Sequence, residues 1–116
     1  MIELVDEKTI QQLIADTSSE VMPMLIDQYI EEMQHRIENI ERAFSSQDYA
    51  QLEFETHALG SSAQALGNQA LSHLARTIEH LCIDNEHENA LSYQKDFATI
   101  SSASLIALNN RKRQGF

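Results

Sequence analysis

The sequence predicts an all-α protein: an up-down antiparallel four-helix bundle with a short additional helix at its N-terminal end. Three observations lead there. One proline and three glycines in 116 residues leave few places for turns, which favours a few long helices over many short strands. The residues filling the spaces between apolar positions are mostly Ala, Leu, Glu, Gln, Lys and Arg, all good helix formers. Hydrophobic residues make up 42% of the chain, enough to close one core, and the length fits a single domain over residues 1–116.

The short leading helix starts near Asp6, a suitable N-cap, and offers Ile10, Leu13 and Ile14 to a core. The second helix spans about Glu20 to Phe44, with Pro23 in its first turn, where a missing N–H costs little. In it Ile26, Ile30, Met33, Ile37, Ile40 and Phe44 alternate at spacings of four and three, an unbroken apolar stripe, and Glu31, His35, Glu38 and Arg42 lie opposite. Ser45-Ser46-Gln47-Asp48 forms a turn and cap before a third helix reaching about Leu66. Gly67 suits the C′ position and Asn68 then caps a fourth helix carrying Leu71, Leu74, Ile78 and Leu81. After Asp84-Asn85-Glu86 a last helix presents Ala90, Tyr93, Phe97, Ile100 and Leu108. Its Ser101-Ser102-Ala103-Ser104 stretch, low in helix propensity, is where fraying or bending is expected. Short connections make successive helices antiparallel neighbours.

Charge and composition narrow the function. The net charge is −10, concentrated in the first 60 residues, which hold thirteen acidic against three basic side chains. Such a surface repels phosphate backbones and anionic headgroups, so neither nucleic acid nor membrane is an expected partner. The cluster Arg111-Lys112-Arg113 reads as a solvated tail. Met1 to Glu7 lacks a basic segment followed by an apolar one, and no apolar run is long enough to span a bilayer, which predicts a cytoplasmic protein. Cys82 sits within a helical apolar pattern and reads as a buried small side chain. Gly60, Gly67 and Gly115 form neither a P-loop nor a nucleotide-binding loop, which argues against an ATP-using kinase. His73 and His80 lie seven residues apart, about 10 Å along a helix, too far for one ion without other ligands, so no metal and no cofactor is expected.

The third helix carries the candidate site. At about 100° per residue, Leu52, Leu59 and Leu66 fall roughly opposite His57, while Ala50, Glu53, Phe54, Gly60, Ser61 and Gln64 share its side. His57 is therefore expected to face solvent in mid-helix. Gly60, placed by the same wheel on the solvent side one turn away, costs the helix about 1 kcal/mol relative to alanine and would leave room for something to approach the imidazole.

The string Thr56-His57-Ala58-Leu59-Gly60-Ser61-Ser62-Ala63-Gln64-Ala65-Leu66-Gly67 resembles the signature of histidine-containing phosphotransfer (HPt) domains, His-x-Leu-Lys-Gly-Ser-Ser followed by an apolar-Gly pair. The segment Met22-Pro23-Met24-Leu25-Ile26-Asp27-Gln28-Tyr29-Ile30-Glu31-Glu32-Met33 is similar to stand-alone members of the LuxU type, which serve bacterial quorum-sensing relays. The resemblance implies a four-helix bundle that accepts a phosphoryl group on His57 from a receiver-domain aspartate of a hybrid sensor kinase and passes it to a response regulator, acting as a monomer and not as an enzyme. Metal and charge stabilisation would come from the partner. An exposed histidine is largely neutral at neutral pH and can act as nucleophile without a dedicated base.

The family's lysine three residues after the histidine is Gly60 here, and its next glycine is Ser61. The missing cation leaves a second reading open: a degenerate module that binds a receiver without carrying phosphate. Gly60, Ser61, Gln64, Arg76 and Glu79 are the candidate phosphate environment, with Arg76 a more distant cation. Glu79 either approaches His57 across the helix pair or is a plain surface carboxylate. Phe54, Gly60, Ser61 and Gln64 form the candidate docking face; for Phe54 the alternative is burial against the first or last helix.

Overall fold

The computed structural model describes residues 2–116. In chain order the helices are α1 (Glu7–Asp16), a single 3-10 turn (Ser19–Val21), α2 (Met22–Ser46), α3 (Tyr49–Ala65), α4 (Gln69–Ile83), α5 (His87–Leu91) and α6 (Gln94–Arg113). Helices α2, α3, α4 and α6 form a ring in which each packs on the next and α6 closes against α2. The fold is thus the expected four-helix bundle. The 25 residues of α2 rise about 37 Å at 1.5 Å each, which sets the 43 Å long axis of the molecule.

The core follows the stripe read from α2: Ile26, Met33, Ile40 and Phe44 are buried there, against Leu52, Leu59 and Ala63 of α3, Leu71, Ala75 and Ile78 of α4, and Phe97 and Leu108 of α6. Phe44 and Phe97 meet with ring centroids 6.1 Å apart. Burying such side chains is the main force closing the bundle.

The α3–α4 turn takes the form its residues dictate. Gly67 adopts φ +86°. The Asn68 N–H then reaches the Ala63 carbonyl at 2.9 Å and the Gly67 N–H that of Gln64 at 3.2 Å, the paired bonds of a Schellman motif. Asn68 does more than begin α4. Its side chain is fully buried, accepts the Tyr29 hydroxyl at 2.8 Å and donates to the carbonyls of Leu4 and Ser104 at 2.8 and 3.2 Å. One amide thereby ties the N-terminal segment, α2, α4 and α6 together. Burial raises the pKa of the Tyr29 hydroxyl, which keeps it a donor.

Two expectations for the last quarter of the chain are corrected. The final helix is unbroken through Ser101–Ser104, because Ser101 and Ser104 are buried in the bundle and packing outweighs their modest propensity. The interruption lies earlier, at Ser92-Tyr93 between α5 and α6. There the Ser92 hydroxyl donates to the Asn89 carbonyl at 2.5 Å, a local bond that competes with helix continuation. The basic cluster is likewise not a free tail: α6 runs through Arg113. Arg111 makes a forked bond to Glu7 of α1 at 2.8 and 3.0 Å and lies over the Phe116 ring at 4.8 Å, while Lys112 reaches Asp27 at 2.5 Å.

Candidate functional site

Helix α3 is capped by Asp48, whose side chain accepts the Gln51 N–H at 3.1 Å. Packing against both α2 and α4, it buries Leu52, Thr56, Leu59, Gly60 and Ala63 and leaves Phe54, His57, Ser61 and Gln64 exposed. The His57 side chain is 64% exposed in mid-helix, as the wheel predicts.

Across the groove, Glu79 of α4 is only 8% exposed, and its Oε2 lies 2.7 Å from His57 Nδ1. Of the two readings of Glu79, the structure selects the approach to His57. A carboxylate in this position accepts, so in the neutral ring the pairing favours the Nδ1–H tautomer, with the lone pair on Nε2. Two residues on adjacent helices thus hold an exposed imidazole in one orientation.

Gly60 is where the wheel misleads. It is buried, not on the solvent side. A Cβ built there would lie 3.5 Å from Arg76 Cγ, 3.6 Å from Ala75 Cβ and 3.7 Å from the Ser72 carbonyl, and the Ser72 hydroxyl donates to the Gly60 carbonyl at 2.8 Å. With two neighbouring helices to contact, the buried arc of α3 is wider than one apolar stripe, and Gly60 lies at its α4 edge. It is therefore removed from the docking face; it lines the α3–α4 seam. Ser72 fastens that seam one turn from His57, and the sequence does not reveal it, because a lone serine in an amphipathic helix carries no signal of such a role.

Arg76 stretches over Gly60 and donates from Nη2 to Gln64 Oε1 at 2.7 Å. Ser61 turns its hydroxyl back to the His57 carbonyl at 3.2 Å. Phe54 is 63% exposed one turn before His57, which rules out its burial against another helix. His73 and His80 are exposed on α4, and among the described residues no three His, Cys, Asp or Glu side chains gather as metal ligands. Cys82 is buried, and burial raises its thiol pKa. Among the described residues no helix is long and apolar enough to cross a membrane.

A helical bundle that holds a solvent-facing imidazole in mid-helix against a buried carboxylate is the arrangement expected of a histidine that exchanges a group with a partner. Comparison with known proteins agrees: the family model "Hpt domain" matches residues 24–109, and the chain belongs to the Hpt family of histidine phosphotransfer domains. Among solved structures it is similar to histidine-containing phosphotransfer protein B (HptB) from Pseudomonas aeruginosa PAO1. That likeness has a TM-score of 0.88, covers 100% of both chains, and comes at 14% identity, so it speaks for the fold. No curated protein matches the chain in sequence.

Proposed function

We propose that this protein is a phosphorelay intermediate that accepts a phosphoryl group on His57 Nε2 from a receiver-domain aspartyl phosphate and delivers it to a response regulator. The observation that carries the reading is the 2.7 Å bond from His57 Nδ1 to the buried Glu79 carboxylate. In the step, the Nε2 lone pair attacks phosphorus, an N–P bond forms, and the P–O bond of the acyl phosphate breaks with its electron pair leaving on the aspartate carboxylate. The Nδ1 proton stays between the ring and Glu79, which offsets the positive charge the ring acquires. The reverse sequence passes the group to the second receiver. Phosphoryl transfer depends mostly on positioning and electrostatics, and Glu79 supplies the positioning.

On this reading the protein is a carrier with no turnover of its own, acts in the cytoplasm as a monomer, and meets both receivers on the face around His57, with Phe54, Ser61 and Gln64 in the contact. The upstream residues 22–33 support a bacterial, LuxU-type quorum-sensing relay. The alternative, a receiver-binding module that carries no phosphate, rests on Gly60 in place of lysine. Incubation with a receiver domain carrying a labelled phosphoryl group separates the two. Acid-labile, base-stable label on this chain, chased off by a second receiver, is the expected result; binding without label would establish the alternative.

A further inference from the structure

We propose that Arg76 is the phosphate-holding cation of this protein, parked on Gln64 while His57 is free and turning to the phosphoryl group once His57 carries it. The inference rests on the phosphotransfer reading above. Arg76 is the only lysine or arginine between residues 43 and 94, so all of α3 and α4 offers one such cation. The carboxylate of Glu79, paired with the imidazole, and that of Glu53, one turn before His57 on α3, would repel a phosphoryl dianion.

The placement of Arg76 is specific. It precedes Glu79 by three residues, so it lies on the same side of α4 one turn away. Its Cγ rests 3.5 Å from where a Gly60 Cβ would be, about 4.5 Å along the axis of α3 from the level of His57. Side chains on a helix lean toward its N-terminus, which here carries the guanidinium away from His57 to Gln64. Reaching the phosphoryl group takes rotation about the terminal torsions, with the stem still seated on Gly60. The bare backbone of Gly60 is the bed of that stem, and a longer side chain there would compete for it.

The exchange has a direction. The parking bond joins the guanidinium to a neutral amide exposed to solvent. A phosphoryl dianion offers charge-assisted bonds roughly twice as strong, in a geometry that suits the planar fork of arginine. The cation absent from position 60 is thus supplied from the neighbouring helix, and Gln64 is its resting place.

The test uses phosphoramidate as donor: its P–N bond breaks, a new P–N bond forms at His57, and ammonia leaves. With phosphoramidate and ammonium fixed, 31P NMR gives the ratio of phosphorylated to free protein. Arg76→Ala is expected to lower that ratio about five- to tenfold, the low end for a charge-assisted contact open to solvent. Arg76→Lys should recover part of the loss, and Gly60→Lys combined with Arg76→Ala should return it to within about twofold of wild type. Gln64→Ala, which frees the guanidinium, should raise it by roughly a factor of two. The Arg76 Nε–H resonance should move on phosphorylation. A ratio unchanged in Arg76→Ala with that resonance unmoved, while wild type is still phosphorylated, would overturn the inference and leave the phosphotransfer reading standing. A loss repaired by neither lysine variant marks a packing role and overturns it too. No phosphorylation of wild type by phosphoramidate or by a phosphorylated receiver overturns both.

Discussion

Replacing Glu79 by glutamine isolates the role of the buried carboxylate, because the shape is kept and only the charge is removed. In the native protein Glu79 accepts His57 Nδ1–H at 2.7 Å. Hydrogen bonds to charged groups contribute about 1.5–3 kcal/mol and neutral ones about 0.5–1.5. The difference must be discounted because the imidazole is 64% exposed and water competes for it. About 1 kcal/mol remains, or roughly fivefold in the preference for the Nδ1–H tautomer. Glutamine adds a second loss: turned over, its NH2 donates to Nδ1, and the proton then sits on Nε2 and blocks the nucleophile. Single-turnover transfer from a phosphorylated receiver should slow about five- to tenfold in Glu79→Gln. In 15N spectra of the imidazole, the wild type should show Nε2 unprotonated and the variant a mixture of tautomers. A rate within twofold of wild type, with an unchanged tautomer, would refute the assignment of Glu79 as a positioning residue.

Other outcomes follow from the same contacts. Gly60→Ala meets only ordinary van der Waals distances and gains helix propensity, so thermal melting should show a stabilisation of up to about 1 kcal/mol. Gly60→Trp should instead be destabilising, because Arg76, Ala75 and the Ser72 carbonyl stand where its ring would go. Tyr29→Phe removes the donor to the buried Asn68 oxygen and should cost about 1–3 kcal/mol in denaturant unfolding. Phe54→Ala should leave stability within about 0.5 kcal/mol, since the ring is 63% exposed, yet weaken receiver binding in a titration. The hydrogen bond from Arg111 holds the Glu7 pKa down from 4.5 to about 2. A depressed carboxylate stabilises the fold above its unfolded value and loses that contribution as pH falls through the folded one. The stability difference between wild type and Arg111→Ala should therefore be complete above about pH 4.5 and fade toward pH 2, and it should be small because Glu7 is half exposed.

What could be read from the sequence was whatever depends on one periodicity or one local turn. The α2 stripe from Ile26 to Phe44, the positive φ at Gly67 and the exposed His57 are of this kind. What could not be read depends on a second partner. Gly60 lies 60° from His57 on a wheel, and only the presence of α4 decides that this edge is buried. Ser101 and Ser104 look like helix-weakening residues until α6 is seen buried against the bundle. Asn68 looks like a cap, and its bonds to Tyr29, Leu4 and Ser104 span up to 64 residues of sequence. Arg111 looks like part of a tail because Glu7, its partner, stands at the other end of the chain. The pairing of His57 with Glu79 is one of two readings the sequence leaves open, for the same reason.

The most direct test of the central account is the site and chemistry of phosphorylation. The protein is labelled by a phosphorylated receiver domain and compared with His57→Ala by 31P NMR and mass spectrometry under alkaline conditions. One phosphoryl group on Nε2 of His57, stable in base and lost in acid, with none on a folded His57→Ala, is the predicted result. Label that persists in His57→Ala, or a wild type that binds the receiver and takes up none, would contradict it.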